Sequence, residues 1–262
     1  MVRPVLLLLL VLIASDIAAK ARLIISYESK ENPPYYMGVG PQVSADYPGI
    51  SVELINEIAL KLGVEVIYRR TPWQRGLFML SNNHIDAIFH ASYNEERRNI
   101  GYYPMKDGVI DASRSIMPQS YFFYVKKPAP FSWSGQNFSS IKERIGAVIG
   151  YAVVDLLREK QVDVVEVRSQ VIGLRMLQYG RINGFAGLEN MVDLQLQKHP
   201  DEFTDIEKIT PPIMTKNYYL LFSKRFYREN TELAERIWDQ MKVFRENGRY
   251  QEIANKYKDK LN

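Results

Sequence analysis

Cysteine is missing from this chain, and histidine occurs only three times. Without thiols there is no disulfide framework, no thiol nucleophile and no thiolate metal site, so stability has to come from burial. His84, His90 and His199 show no close metal-ligand spacing, and neither a metal nor a bound cofactor is expected. A long apolar run is lacking as well: the stretch from Pro4 to Ala14 falls short of the roughly 20 apolar residues that cross a bilayer. Nor does charge of one sign collect anywhere. The 34 Lys and Arg face 30 Asp and Glu, a net +4, and the two signs alternate along the sequence. A nucleic-acid partner would draw basic residues into a run or stripe, so none is expected. Internal repeats, low-complexity tracts and heptads are absent too.

What is present begins with an export signature. Arg3 gives a positive start, Val5 to Ala14 an apolar run and Ile17-Ala18-Ala19 a small-residue cleavage site, so residues 1–19 read as a cleaved signal peptide. Beyond it, short apolar segments alternate with segments of helical periodicity. Leu23 to Tyr27, Val64 to Tyr68 and Asp86 to Phe89 predict strands, with helices over Ser51 to Leu62 and Gln74 to Leu80 between them. Gly63 is a helix stop. The rhythm returns with strands at Ile145 to Ile149, Val162 to Val167 and Ile182 to Ala186 around helices at Val153 to Glu159 and Val171 to Tyr179. This is an α/β pattern with mainly parallel sheets, in two lobes of similar plan. Tyr121 to Lys127 and Tyr218 to Ser223 read as strands crossing between the lobes. Residues 20–121 with 223–262 are expected to form lobe one, and 122–222 lobe two. The chain closes with a helix from Asn230 or Thr231 to about Glu246, a break at Gly248, and a helix over Tyr250 to Tyr257.

Six segments carry a resemblance: NPPYY (Asn32 to Tyr36), the stretch from Pro48 to Val66, HIDAIFHASYNEER (His84 to Arg97), IGAVIGYA (Ile145 to Ala152), LQYGRINGFAGLEN (Leu177 to Asn190) and FRENGRYQEIANKY (Phe244 to Tyr257). In order and spacing the chain resembles the bacterial extracellular solute-binding proteins of family three, the polar amino-acid-binding components of uptake transporters. TPWQRGLFML (Thr71 to Leu80), GYYPMKDG (Gly101 to Gly108) and DASRS (Asp111 to Ser115) narrow the likeness to a divergent branch with no assigned ligand. The resemblance implies a periplasmic-binding-protein-like fold of type II, two α/β lobes joined by a two-strand hinge. It also implies a monomer that serves a membrane permease of an ABC transporter or a membrane receptor.

The resemblance places the grip on a ligand carboxylate at Arg97, with the Ser92 hydroxyl assisting. A guanidinium suits that task because its planar donor fork matches two carboxylate oxygens. Tyr35 and Tyr36 match a position that packs on the ligand, and Trp73 with Arg75 are expected to enter the cleft after the second strand. Two departures stand out. The acid that holds a ligand ammonium in amino-acid binders falls here on Leu188, with Glu189 one place later, and the threonine pair after Gly150 is replaced by Tyr151 and Ala152. Glu189 and Tyr151 are therefore candidate ligand contacts, and the expected ligand is a small carboxylate, with or without an ammonium group. Two rivals remain on the same fold. One is a sensory or accessory binding module; the other is a dehydratase of prephenate-like acids, for which Glu189 is the one candidate acid and no catalytic pair is found.

Overall fold

The computed structural model describes residues 21–137 and 144–258 of the chain; the expected signal peptide lies outside them. β1 (Ala21–Glu28), β2 (Val64–Thr71) and β3 (Ala87–Ser92) alternate with helices α1 (Ile50–Leu62) and α2 (Trp73–Ser81). α1 buries Val52, Leu54, Ile55, Ile58 and Ala59, the stripe that a 3.6-residue period puts on one face. It ends where Gly63 turns left-handed at φ +71° and its N–H reaches the carbonyls of Ala59 and Leu60, a conformation that costs glycine little. Short strands β4 (Gly101–Tyr102), β5 (Met105–Lys106) and β6 (Val109–Ile110) lead into the long β7 (Met117–Lys126).

The second half repeats the plan with β8 (Arg144–Val148), α3 (Ala152–Glu159), β9 (Asp163–Val167), α4 (Gln170–Gln178) and β10 (Gly184–Leu188). Helix α5 (Glu189–Lys198) follows, then β11 (Ile206–Ser223), α6 (Lys224–Glu229), α7 (Thr231–Glu246) and α8 (Arg249–Lys258). One sheet runs through both halves in the order β2-β1-β3-β11-β7-β10-β8-β9, with β4 added to β11. Its outer pairs are parallel, as expected from the alternating pattern, while the two central strands run antiparallel to their neighbours. β11 pairs with β7 on both sides of a register shift between Ile209 and Met214.

Three differences from the expected pattern matter for the site. β3 runs on to Ser92 instead of ending at Phe89, because His90 takes φ +63° and a register shift at Tyr219/Leu220 of β11 absorbs the irregularity. β10 lies two residues later than expected, so that Leu188 closes the strand. β11, whose end was expected as a crossing strand from Tyr218 to Ser223, pairs with β3 of the first half at Tyr218 to Phe222. Helices α5 and α6 were not legible in advance. α5 buries only Met191 and Val192, and so weak a stripe gives little periodicity to read. The closing helices cover the first half, where the Trp238 indole is wholly buried and donates to the Leu220 carbonyl at 2.8 Å.

Candidate ligand-binding site

A cavity lies where the carboxyl ends of β1 and β3 meet the second half. Open α/β sheets place their ligand crevices at such strand ends. The first half contributes Glu28, Asn32, Tyr36, Trp73, Ser92 and Arg97 to its wall. Across from them stand Tyr121, Tyr151, Ala152 and Leu188, and the buried His90 and Gln119 close the floor.

Arg97 is 8% exposed and sits in a single 3-10 turn, Glu96–Asn99, which Asn94 starts by accepting the Glu96 N–H at 2.7 Å. Its Nη1 donates to the Ser92 carbonyl at 2.8 Å and to the Ser92 hydroxyl at 3.0 Å, and its Nη2 donates across the cleft to the Gly150 carbonyl at 2.8 Å. The guanidinium also lies over the Trp73 ring, 5.7 Å from its centroid. Among the described residues no carboxylate comes within ion-pair distance of it. A guanidinium has five N–H donors and a buried charge calls for a counter-charge, so this group is set up to receive an anion. Tyr103 braces the same point, donating to the Ser92 carbonyl at 2.7 Å; burial pushes its phenol up to about 12.

Glu28 is the second charged group in the wall, 7% exposed, and no motif in the sequence pointed to it. One carboxylate oxygen accepts from the Ser29 hydroxyl and the Lys30 N–H, at 3.1 and 3.3 Å, and the other accepts from the Trp73 N–H at 3.1 Å. The last of these is an anion at a helix N-terminus, a favourable place for negative charge. Asn32 donates to Gln119 Oε1 at 2.8 Å, Gln119 approaches His90 Nδ1 at 3.2 Å, and His90 Nε2 meets the Ser51 hydroxyl at 2.8 Å. With the Gln119 amide donating to Nδ1, the ring proton falls on Nε2. Burial pulls the His90 pKa down to about 3, so the ring is neutral at neutral pH.

Of the residues expected at the site, Arg97, Ser92, Tyr36, Trp73 and Tyr151 come together around this cavity. Three do not. Tyr35 stands behind it, edge-on to His90 at 5.6 Å; burial raises its phenol, against the lowering effect of a hydrogen bond with Asn190. Arg75 is exposed on α2, away from the cavity wall. Glu189 lies outside the lining as well: its carboxylate accepts from Lys208 at 2.8 Å, while Leu188 faces the cavity. Neighbouring residues at a strand end point to opposite sides, which separates the two. The Lys208 ammonium loses hydration through burial, but its hydrogen bonds to Asp193 and Glu189 outweigh that and raise its pKa. Tyr151 directs its hydroxyl to Met191 Sδ at 3.7 Å, and burial lifts its phenol well above the ordinary value.

The halves touch around the cavity mouth. Lys30 donates to the Arg168 carbonyl at 2.9 Å, Asn94 to Asp155 at 2.8 Å and Asn190 to the Pro33 carbonyl at 3.2 Å, and Lys198 pairs with Glu31. Among the described residues no group of His, Asp and Glu has the arrangement of a metal site.

A two-lobed sheet with a polar cavity between its halves is the architecture of a periplasmic binding protein. The chain belongs to the bacterial extracellular solute-binding proteins, family 3, whose sequence pattern matches residues 23–260. A comparison with curated proteins returned no match. Among solved structures it is similar to a histidine kinase sensor domain with similarity to periplasmic binding proteins, at TM-score 0.72 and 16% identity, covering 91% of this chain and 97% of that one. The substrate binding protein of an amino acid ABC transporter gives 0.69 and 15%, over 91% and 100% of the two chains. The arginine-, lysine-, histidine-binding protein ArtJ of Geobacillus stearothermophilus gives 0.69 and 16%, over 91% and 95%.

Proposed function

We propose that this chain is an exported binding protein that encloses a small carboxylate-bearing ligand between its two halves and presents it to an ABC-type permease. The observation that carries the reading is the Arg97 guanidinium, buried in the cavity wall with hydrogen-bond partners but, among the described residues, no counter-charge. A charge-assisted hydrogen bond to a buried carboxylate contributes about 1.5–3 kcal/mol. The two halves hinge on β7 near Tyr121 and on β11 near Tyr218, and closure over the ligand removes water from the ion pair. Solved relatives of the same fold include proteins whose names specify amino acids or an amino acid ABC transporter, which supports the ligand class. Export rests on the sequence signature of residues 1–19 together with the extracellular family.

A thermal-shift screen of the mature protein against amino acids, their derivatives and small organic acids tests the proposal. A ligand at one hundred times its Kd adds about 2.7 kcal/mol to stability. Equal stabilisation of wild type and Arg97→Gln by that ligand would remove the assignment. A sensory role uses the same capture step, and a histidine kinase sensor domain shares the fold. Pull-down of the ligand-loaded protein from membranes separates the two: a transporter subunit supports delivery, a receptor supports sensing.

A further inference from the structure

Resting on the hinge between the two halves, we propose that Tyr151 is a closing residue. Fixed to the second half, its ring docks on an apolar cluster of the first and sets how firmly the cleft shuts, whichever ligand it holds.

The backbone of Tyr151 belongs to the second half. It precedes α3 at φ −80° and ψ 146°, its N–H donates to the Val148 carbonyl at 3.0 Å, and its own carbonyl accepts from the Val154 N–H at 3.0 Å. The side chain is tied to the same half at its tip. Its hydroxyl donates to Met191 Sδ at 3.7 Å, and the amide of the buried Gln170 donates to that sulfur at 3.8 Å. The ring itself packs on two clusters at once. One holds Phe122, Val148 and Val167 of the second half, the other Trp73, Leu80 and Tyr103 of the first. Among the described side chains packed on this first-half cluster, Tyr151 alone comes from across the cleft.

Opening the cleft therefore falls on this ring. Its anchors turn with the second half, so rotation about β7 and β11 withdraws it from the first-half cluster and wets both surfaces. About 55 Å² of apolar surface is worth a factor of ten in an equilibrium, and a tyrosine side chain offers more than that. The exposed polar contacts across the mouth contribute less, because water replaces their partners on opening. The preceding residue moves with the ring: the Gly150 carbonyl accepts from Arg97 Nη2 at 2.8 Å, so docking of Tyr151 and that cross-cleft hydrogen bond form and break together. A residue that acts on the population of the closed state changes the affinity for every ligand by one factor.

Small-angle scattering of the ligand-free mature protein, with calorimetry and stopped-flow binding of L-alanine, L-glutamine and L-arginine as probes of rising length, tests this. Tyr151→Ala is expected to enlarge the radius of gyration without ligand. It should also weaken every probe that binds wild type by the same factor, about tenfold or more, through faster dissociation, with association within about twofold. Tyr151→Phe keeps the ring and restores both. Equal losses at an unchanged radius also support the inference, since they place wild type in the open state before the probe arrives. Unchanged affinities overturn it. So does a loss that varies with probe length, or a gain for the longest probe, because Tyr151 is then a wall of the site and not a latch. If no probe binds wild type, the proposed ligand class fails while the scattering alone decides here, an unchanged radius overturning the inference. Folding of each variant is checked by circular dichroism; should Tyr151→Ala not fold, Tyr151→Leu takes its place, with a smaller shift of the same kind expected.

Discussion

Arg97 and His90 are neighbours in the cavity wall under opposite constraints. Among the described residues the Arg97 guanidinium meets no carboxylate, whereas burial keeps His90 uncharged. Arg97 makes no ion pair among the described residues, so its replacement leaves no buried carboxylate without a partner. Arg97→Gln is therefore expected to unfold in urea within about 1 kcal/mol of wild type while losing ligand-dependent stabilisation. For His90 the folded pKa, about 3, lies below the ordinary 6.5, so between those values the unfolded chain binds more protons. Stability is complete above pH 6.5 and falls as pH drops toward 3, by up to about 1.4 kcal/mol per pH unit from this residue. His90→Gln should flatten that part of the curve, read from chemical unfolding at several pH values; an unchanged slope would show that the ring does not titrate this way.

At the scale of elements, the loop after β1 depends on a side chain from β2. Arg70 is buried and donates to the carbonyls of Ser29, Met37, Gly38 and Gln42, so one guanidinium gathers the segment that carries Asn32 and Tyr36. Arg70→Leu keeps the stem but leaves these carbonyls without their donor. It should cost about 2 kcal/mol or more in urea unfolding and weaken ligand binding without touching the ligand. The turn into α3 is held by Gly150, at φ +72° and so close to Gln74 that a Cβ would lie 1.8 Å from its amide nitrogen. Gly150→Ala is expected to cost about 1–2 kcal/mol from the backbone conformation. Pairing it with Gln74→Ala should restore only the part due to contact, which a double-mutant cycle in thermal unfolding measures.

For the whole molecule, binding and closure are one equilibrium. The cross-cleft contacts Asn94 to Asp155 and Lys198 to Glu31 are exposed pairs, worth about 0–1 kcal/mol each. Removing either should lower ligand affinity by less than about fivefold, with no effect on the groups that hold the ligand, because only the population of the closed state changes. Small-angle scattering with and without ligand, beside calorimetry, checks this. A larger loss with an unchanged scattering profile would mean that the pair belongs to the binding site instead.

The order of strands and helices was legible because it is written locally: apolar periodicity marks α1 and α2, and Gly63 and Gly248 mark ends that need a left-handed residue. That Arg97, Ser92, Tyr36, Trp73 and Tyr151 would converge on one cavity was legible through a resemblance in spacing, since segments of fixed length deliver them to the same strand ends. Glu28 and Asn32, at the end of β1, and Gln119 of β7 were not, for these two places lie far apart in sequence and meet only once β1 is laid beside β3 and β7 beside β11. That Glu189 and Arg75 lie outside the cavity lining was hidden for the same reason. A sequence fixes which groups a chain owns, but a shift of two residues in where β10 ends, or one face of a short helix, decides whether a charge looks into the cavity or out to water. Those choices belong to packing across the whole sheet, and only the tertiary structure makes them.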